Sequence, residues 1–386
     1  MSGGSEFVAE MLLKLIVILF AAKVAGYVFD RIKQPRVLGE LLVGVLLGPS
    51  LFGFILGSEE ILVFLSEVGV IILLFLVGLE SNIHELLKSG KAALMVAVIG
   101  VVAPIILALP YLLYIELLDF NTALFIGATL TATSVGVTMR VLSEMKKITS
   151  LEGKIILGAA VIDDVLGLVI LSVLGGIAET GGVELFNVAQ TIFMAFAFLA
   201  LTVIIGMKLE GPILRLIKHL KVQRTFIVTA VIFALALGYL AQYIGLAAIV
   251  GAFAAGLILE REEHKEHIIK KAEVIGDVFT PIFFVMAGVA VNIYTVNLDL
   301  IPLAVVLLII ALVGKIVAGF GAFGTNASKW SIGVGMIPRG EVGLIFATFG
   351  LAHNFVGEGL YSVLVIVIML TTLVTPPILK KLMENK

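Results

Sequence analysis

Cysteine is absent from this chain, tryptophan occurs once, and charged residues make up only 14% of it. Without cysteine there is no disulfide framework and no thiolate chemistry. A formal net charge of -2 is too small to point to a nucleic-acid or strongly acidic partner. The first residues carry Glu6 and no basic cluster, so no cleavable signal peptide is expected, and residues 1–5 read as a loose start. What is abundant is apolar: 60% of the 386 residues, with a mean hydropathy of +1.18. Soluble domains are about half apolar and about a quarter charged. The surplus here must face lipid.

A helix needs roughly 20 apolar residues to cross the hydrocarbon core. Thirteen spans meet that pattern: 8–29, 36–56, 61–80, 91–115, 120–142, 153–177, 186–208, 224–243, 245–260, 270–291, 299–323, 329–352 and 357–380. The links are short, and the longest polar one runs from Lys208 to Arg224. Basic residues fall in alternate links: Arg31, Lys33 and Arg36; Lys88 and Lys91; Arg140, Lys146, Lys147 and Lys154; Lys208 to Arg224; Arg261 to Lys271; Lys329; and the tail with Lys380, Lys381 and Lys386. The intervening links carry Glu59, Glu60, Glu116, Asp119, Glu179 and Glu184 but no Lys or Arg. Positive loops stay cytoplasmic. The alternation predicts an outside N-terminus, a cytoplasmic C-terminus and an odd number of helices.

Two spans are poor continuous helices. Span five holds Thr129, Thr131, Thr133, Ser134 and Gly136; span twelve holds Gly333, Gly335, Pro338, Gly340 and Gly343. Proline removes a backbone donor and clashes with the preceding turn. Irregular backbone at membrane depth survives only inside protein or beside a water-filled cavity. The two spans are seven helices apart, so they run in opposite directions. Paired breaks of that kind mark inverted repeats with a site at the midplane.

Span six reads Val-Ile-Asp-Asp-Val-Leu-Gly-Leu around Asp163 and Asp164. A charge at mid-membrane costs a few kcal/mol, on the order of 3 by insertion scales. Neighbours on a helix project about 100° apart, so one carboxylate can meet a buried cation while the other faces a cavity. Burial disfavours the charged carboxylate, so a proton and a hard cation compete for the same oxygens. Lys315 in span eleven is the candidate ammonium, with snorkelling to the interface as its alternative. Arg339 and Glu341 share the span-twelve break and are read as paired or as bridging neighbouring helices. Lys14 and Lys23 read as snorkelling or interface residues, Glu80 and His353 as span-end residues, and Glu40 as solvated at the inner end of span two.

Taken together, Val161 to Leu168, Ala132 to Thr138, Gly314–Lys315, Pro338 to Gly343 and Gln34 to Glu40 resemble the bacterial sodium/proton antiporters of the NapA type, within the monovalent cation:proton antiporter superfamily, over nearly the whole chain. The resemblance implies an all-α fold of 13 transmembrane helices with inverted-topology repeats and two crossing broken helices. It implies a homodimer in the cytoplasmic (inner) membrane, with scaffold helices in 8–88 and 221–292, core helices in 89–178 and 297–384, and a linker helix in 186–210. By matching position, Asp164 is the main ion and proton carboxylate, Asp163 pairs with Lys315 when sodium is absent, and Thr133 and Ser134 add ligands or shape the cavity. Arg339 and Glu341 are supporting candidates. The implied activity is exchange of Na+ or Li+ for H+ by an elevator movement, electrogenic at two protons per sodium, with the ions as cargo, no cofactor and no enzymatic chemistry. A potassium/proton exchanger of the same fold is the nearest rival. An intramembrane aspartyl protease needs aspartates converging from separate helices, which adjacent residues on one helix do not supply. A passive cation channel is the third reading, and buried acids beside inverted breaks suit a carrier better.

Overall fold

The computed structural model describes residues 2–81, 88–180, 225–244, 246–260, 265–290 and 298–384, with isolated positions between 186 and 201 and at 294. Nearly all of span seven, and the 208–224 link, lie outside the described residues. Fourteen helices of seven or more residues follow in the described parts: α1 (Ser2–Arg31), α2 (Arg36–Leu47), α3 (Glu60–Glu80), α4 (Gly90–Tyr114), α5 (Phe120–Thr129), α6 (Val135–Glu144), α7 (Leu151–Thr180), α8 (Thr225–Tyr243), α9 (Ala248–Leu259), α10 (Lys265–Val289), α11 (Ile301–Ala318), α12 (Lys329–Gly335), α13 (Gly340–Ala352) and α14 (Glu358–Glu384). Six of the described helices are long and apolar enough to cross a membrane, and shorter apolar helices accompany them.

Some boundaries differ from the sequence expectation. Helix α1 begins at Ser2, so the start of the chain is helical rather than loose. Helix α2 stops at Leu47, well short of residue 56. Pro49 explains the stop: it has no N–H to donate, and it disfavours helical geometry at Gly48 before it. The amides of Phe52, Phe54 and Ile55 turn back to cap the carbonyls of Leu46 and Leu47.

The helices pack in two sets. Helix α3 lies against α9 and α10, α2 against α1 and α10, and α8 against α9. Helix α4 lies against α5, α7 and α11, and α14 against α11, α12 and α13. Thinner contacts, chiefly of α6 with α3 and α2 and of α14 with α2, join the sets.

Two close crossings in the first set are related to each other. At one, a Cβ on Gly44 would strike the Val285 carbonyl, and one on Gly288 would strike the Leu41 carbonyl. At the other, a Cβ on Gly256 would strike the Phe75 carbonyl, and one on Gly78 would strike the Phe253 carbonyl. In each case the glycine meets the residue three before its partner glycine. Helices α2 and α10 therefore cross as α9 and α3 do, and the chain contains the same crossing twice. Without a hydrophobic drive between helices in lipid, such backbone contact supplies much of the packing energy.

Candidate ion site

The breaks foreseen in spans five and twelve are residues 130–134, between α5 and α6, and 336–339, between α12 and α13. Asp119 caps the start of α5, accepting from the amides of Asn121 and Thr122. Hydrogen bonding with Thr122 holds its carboxyl below the usual carboxylate range. At the far end of α5 the Thr129 and Thr131 hydroxyls bond back to the Phe125 and Ala128 carbonyls. Such local bonds compete with helix continuation. Helix α12 begins at Ser328, whose hydroxyl accepts from the Ser331 amide, and ends before Pro338.

The two breaks cross and satisfy each other. Ser134 donates its amide to the Pro338 carbonyl at 2.7 Å. The Thr133 hydroxyl donates to Met336 O at 3.3 Å, and that of Thr138 to Gly335 O at 2.7 Å. Gly340, at φ 35°, starts α13 directly over Ser134: a Cβ there would lie 2.6 Å from Ser134 Oγ. Arg339 closes the remaining gap. Its guanidinium donates twice to Leu130 O (3.1 and 2.6 Å), once to Ile337 O (2.6 Å) and once to Ala311 O (3.0 Å). Helix C-termini leave unbonded carbonyls and a partial negative charge, and this fully buried cation meets both needs. Among the described residues Arg339 ion-pairs with no carboxylate, and its reading as a partner of Glu341 falls on a side chain outside them.

Asp163 and Asp164 project differently from the middle of α7. Asp163 is 4% exposed. Its Oδ2 accepts from Lys315 Nζ at 3.2 Å, and no hydrogen-bond partner meets its Oδ1 among the described residues. Lys315 is fully buried and does not snorkel. Its ammonium passes over Gly100 of α4, where a Cβ would come within 3.2 Å of it. Asp164 is half-buried and lines a cavity of about 300 Å³ with Glu67, Gln242 and apolar side chains including Leu171, Ile249 and Phe346. Of the residues singled out from sequence, Asp163 and Lys315 meet directly, Thr133, Ser134 and Arg339 meet at the crossing, and Asp164 faces the cavity.

Other charged positions depart from the sequence reading. Glu40 is buried rather than solvated, 4% exposed, with Arg140 at 4.0 Å. Arg140 also holds Glu144 at 3.1 Å, whose second oxygen accepts from the Arg36 amide at 3.0 Å. This network bridges α2 and α6 at the end of the bundle bearing the basic links. Lys14 is held by Glu10 (2.7 Å) and by Glu59 of the acidic link (2.9 Å). Lys23 stays exposed. Glu67 was not singled out, although a carboxylate seven residues into an apolar span is the same signal that identified Asp163.

Comparison with known proteins gives the family and the fold. Residues 16–385 match the family described as sodium/hydrogen exchanger, transmembrane. The chain is 38% identical to the high-affinity Na+/H+ antiporter NhaS3 of Synechocystis, over 98% of this chain and 90% of that one. It is 35% identical to the Na+/H+-K+ antiporter GerN of Bacillus cereus, over 96% of each, and 34% identical to an Na+/H+ antiporter of Enterococcus hirae, over 95% and 96%. The fold is similar to that of the sodium proton antiporter MjNhaP1 from Methanocaldococcus jannaschii, with a TM-score of 0.69 at 17% identity, over 97% of this chain and 98% of that one.

Proposed function

We propose, from the premise that this chain belongs to the transmembrane sodium/hydrogen exchanger family, that it exchanges Na+ or Li+ for H+ across the cytoplasmic membrane. One observation carries the assignment: two adjacent buried carboxylates beside crossed helix breaks, one against a buried ammonium and the other on a cavity. Relatives at 34–38% identity named as Na+/H+ antiporters support it.

The cycle follows from the charges. Asp164 gives up a proton and takes the cation, and the orphan Oδ1 of Asp163 turns towards the same ion. Sodium draws Asp163 away from Lys315, and the stranded ammonium sheds its proton, because a buried cation without a partner is costly. One sodium thereby displaces two protons, and exchange is electrogenic. The ions are cargo, and exchange requires no cofactor.

The set built on α4–α7 and α11–α14 is the moving core. The set built on α1–α3 and α8–α10 is the scaffold and dimer base. The core rises and falls past the scaffold, with the N-terminus outside and the C-terminus cytoplasmic. In this structure the Glu40–Arg140–Glu144 network bridges the seam on the basic face, while the Asp164 cavity lies between the first half of α3, the end of α8 and the start of α13. Potassium is the second candidate cargo, since GerN is named for potassium as well as sodium and protons.

Reconstitution in liposomes with a pH-sensitive dye under an imposed proton gradient tests the assignment. Sodium and lithium are expected to dissipate the gradient with wild type and not with Asp164→Asn. Retained exchange in that variant would overturn the role of Asp164, and a response to potassium alone would move the chain to the potassium exchangers.

A further inference from the structure

Glu67 stands about a third of the way along α3, in the run Phe-Leu-Ser-Glu-Val-Gly-Val. From the start of α3 at Glu60 it lies about 10 Å along the helix axis, at about 1.5 Å per residue. Nothing among the described residues hydrogen-bonds or ion-pairs with its carboxylate. Its side chain is exposed; an ionisable group within a membrane span costs a few kcal/mol, on the order of 3, unless it meets water or a partner, so its place is beside a water-filled cavity. Lys14 and Lys315, two other ionisable side chains within spans, both have partners.

The side chain lines the Asp164 cavity. Among the described residues its walls carry two charged groups, Glu67 and Asp164, and one further long polar group, the Gln242 amide, with no Lys or Arg. The lining comes from α3, α8 and α9 on one side of the seam and from α7 and α13 on the other. A dehydrating cation in an apolar-walled cavity needs oxygens along its route, and two carboxylates with an amide between apolar walls supply them. The low-dielectric walls also strengthen the field of each charge.

We propose that Glu67 is a cation-holding carboxylate in the vestibule: it draws a monovalent cation into the cavity from the acidic-loop face, with Gln242 lending an oxygen, and hands it to Asp164. The inference rests on the exchanger assignment above and adds a second residue to the ion route. It is specific in direction. Glu67 belongs to α3, outside the set that carries Asp164, so it serves the ion on one face and not on the other.

The absence of cysteine makes the test clean. A single Ser58→Cys, at an exposed position on the acidic-loop face, reports the orientation of each vesicle with a membrane-impermeant maleimide. With sodium offered on that face, Glu67→Gln is expected to raise the KM for sodium about tenfold, the scale of about 1.4 kcal/mol, and to leave kcat within about twofold. With sodium offered on the opposite face, KM should not change. Glu67→Asp should recover most of the affinity. An unchanged KM on the acidic-loop face, or an equal rise on both faces, would overturn the proposal. Sodium-dependent thermal stabilisation of the detergent-solubilised chain provides a readout without transport: Glu67→Gln should need more sodium than wild type for the same shift. If wild type binds sodium in this assay but exchanges nothing in liposomes, the exchanger assignment fails, while Glu67 still stands or falls on the binding shift.

Discussion

Gly44 and Gly78 in the first half of the chain make the same backbone crossings as Gly256 and Gly288 in the second, yet among the described residues the halves bring opposite charges to the ion site. The first half supplies the carboxylates Asp163 and Asp164 on α7. The second supplies the cations Lys315 on α11 and Arg339 at the start of α13. The corresponding last helix of the second half, α14, buries Thr371, Thr372 and Thr375, whose hydroxyls bond back to their own helix. The skeleton is duplicated and the chemistry is divided. Neither half alone can hold its charges: the acids need the cations, and the cations need the acids or the carbonyls of the other break.

Breaking that complementarity in stages gives a graded series. The largest effect is expected for Asp163→Asn, which leaves the Lys315 ammonium buried without its counter-charge. Loss of one partner of a buried pair costs about 3–5 kcal/mol, so the unfolding midpoint in detergent should fall steeply. Adding Lys315→Met should restore most of it, and failure of that rescue would show that the pair does not compensate itself. Arg339→Lys comes next. It keeps the charge and loses the planar fork that reaches Leu130, Ile337 and Ala311. A cost of about 2–3 kcal/mol is expected, since bonds to charged donors are each worth about 1.5–3 kcal/mol, and unfolding measurements would detect it.

Lys315→Gln is gentler on the fold, because an amide still reaches Asp163 and a protonated carboxylate needs no cation. Exchange should continue more slowly and lose its dependence on membrane voltage. Voltage-dependent sodium flux in that variant would remove the lysine from the proton count. The smallest effect belongs to Asp119→Ala, outside the charge division altogether. Losing the α5 cap should cost about 1 kcal/mol. Because the folded pKa of Asp119 lies below its unfolded value, the wild-type advantage is full above about pH 4. It is lost as pH falls through the folded value, so wild type and variant should converge in acid.

Much of this was legible in the sequence because membranes make polar residues expensive. Asp163, Asp164 and Lys315 stand out from runs of Val, Ile and Leu, and Pro338 and the Thr129–Ser134 run mark the breaks. The partners of Arg339 were not legible, because they are main-chain carbonyls and any residue supplies one. Glu40 was misread since its distance from the helix end suggested water, whereas the packing of α6 over α2 excludes it. The sequence also overstated α2, because a residue before proline can be apolar and still not be helical.

The reciprocal glycine crossings bear on how such a chain arose. A six-helix unit that fits an upside-down copy of itself implies an ancestral protein that entered the membrane both ways up and paired with its own inverted twin. In that ancestor, every substitution appeared on both sides of the pair at once: an aspartate in one copy was an aspartate in the other, and like charges faced each other across the crossing. Only after duplication could one copy become the acid and the other the base. The divided charge at the centre of this molecule therefore dates from after the copies separated, and the glycines from before that.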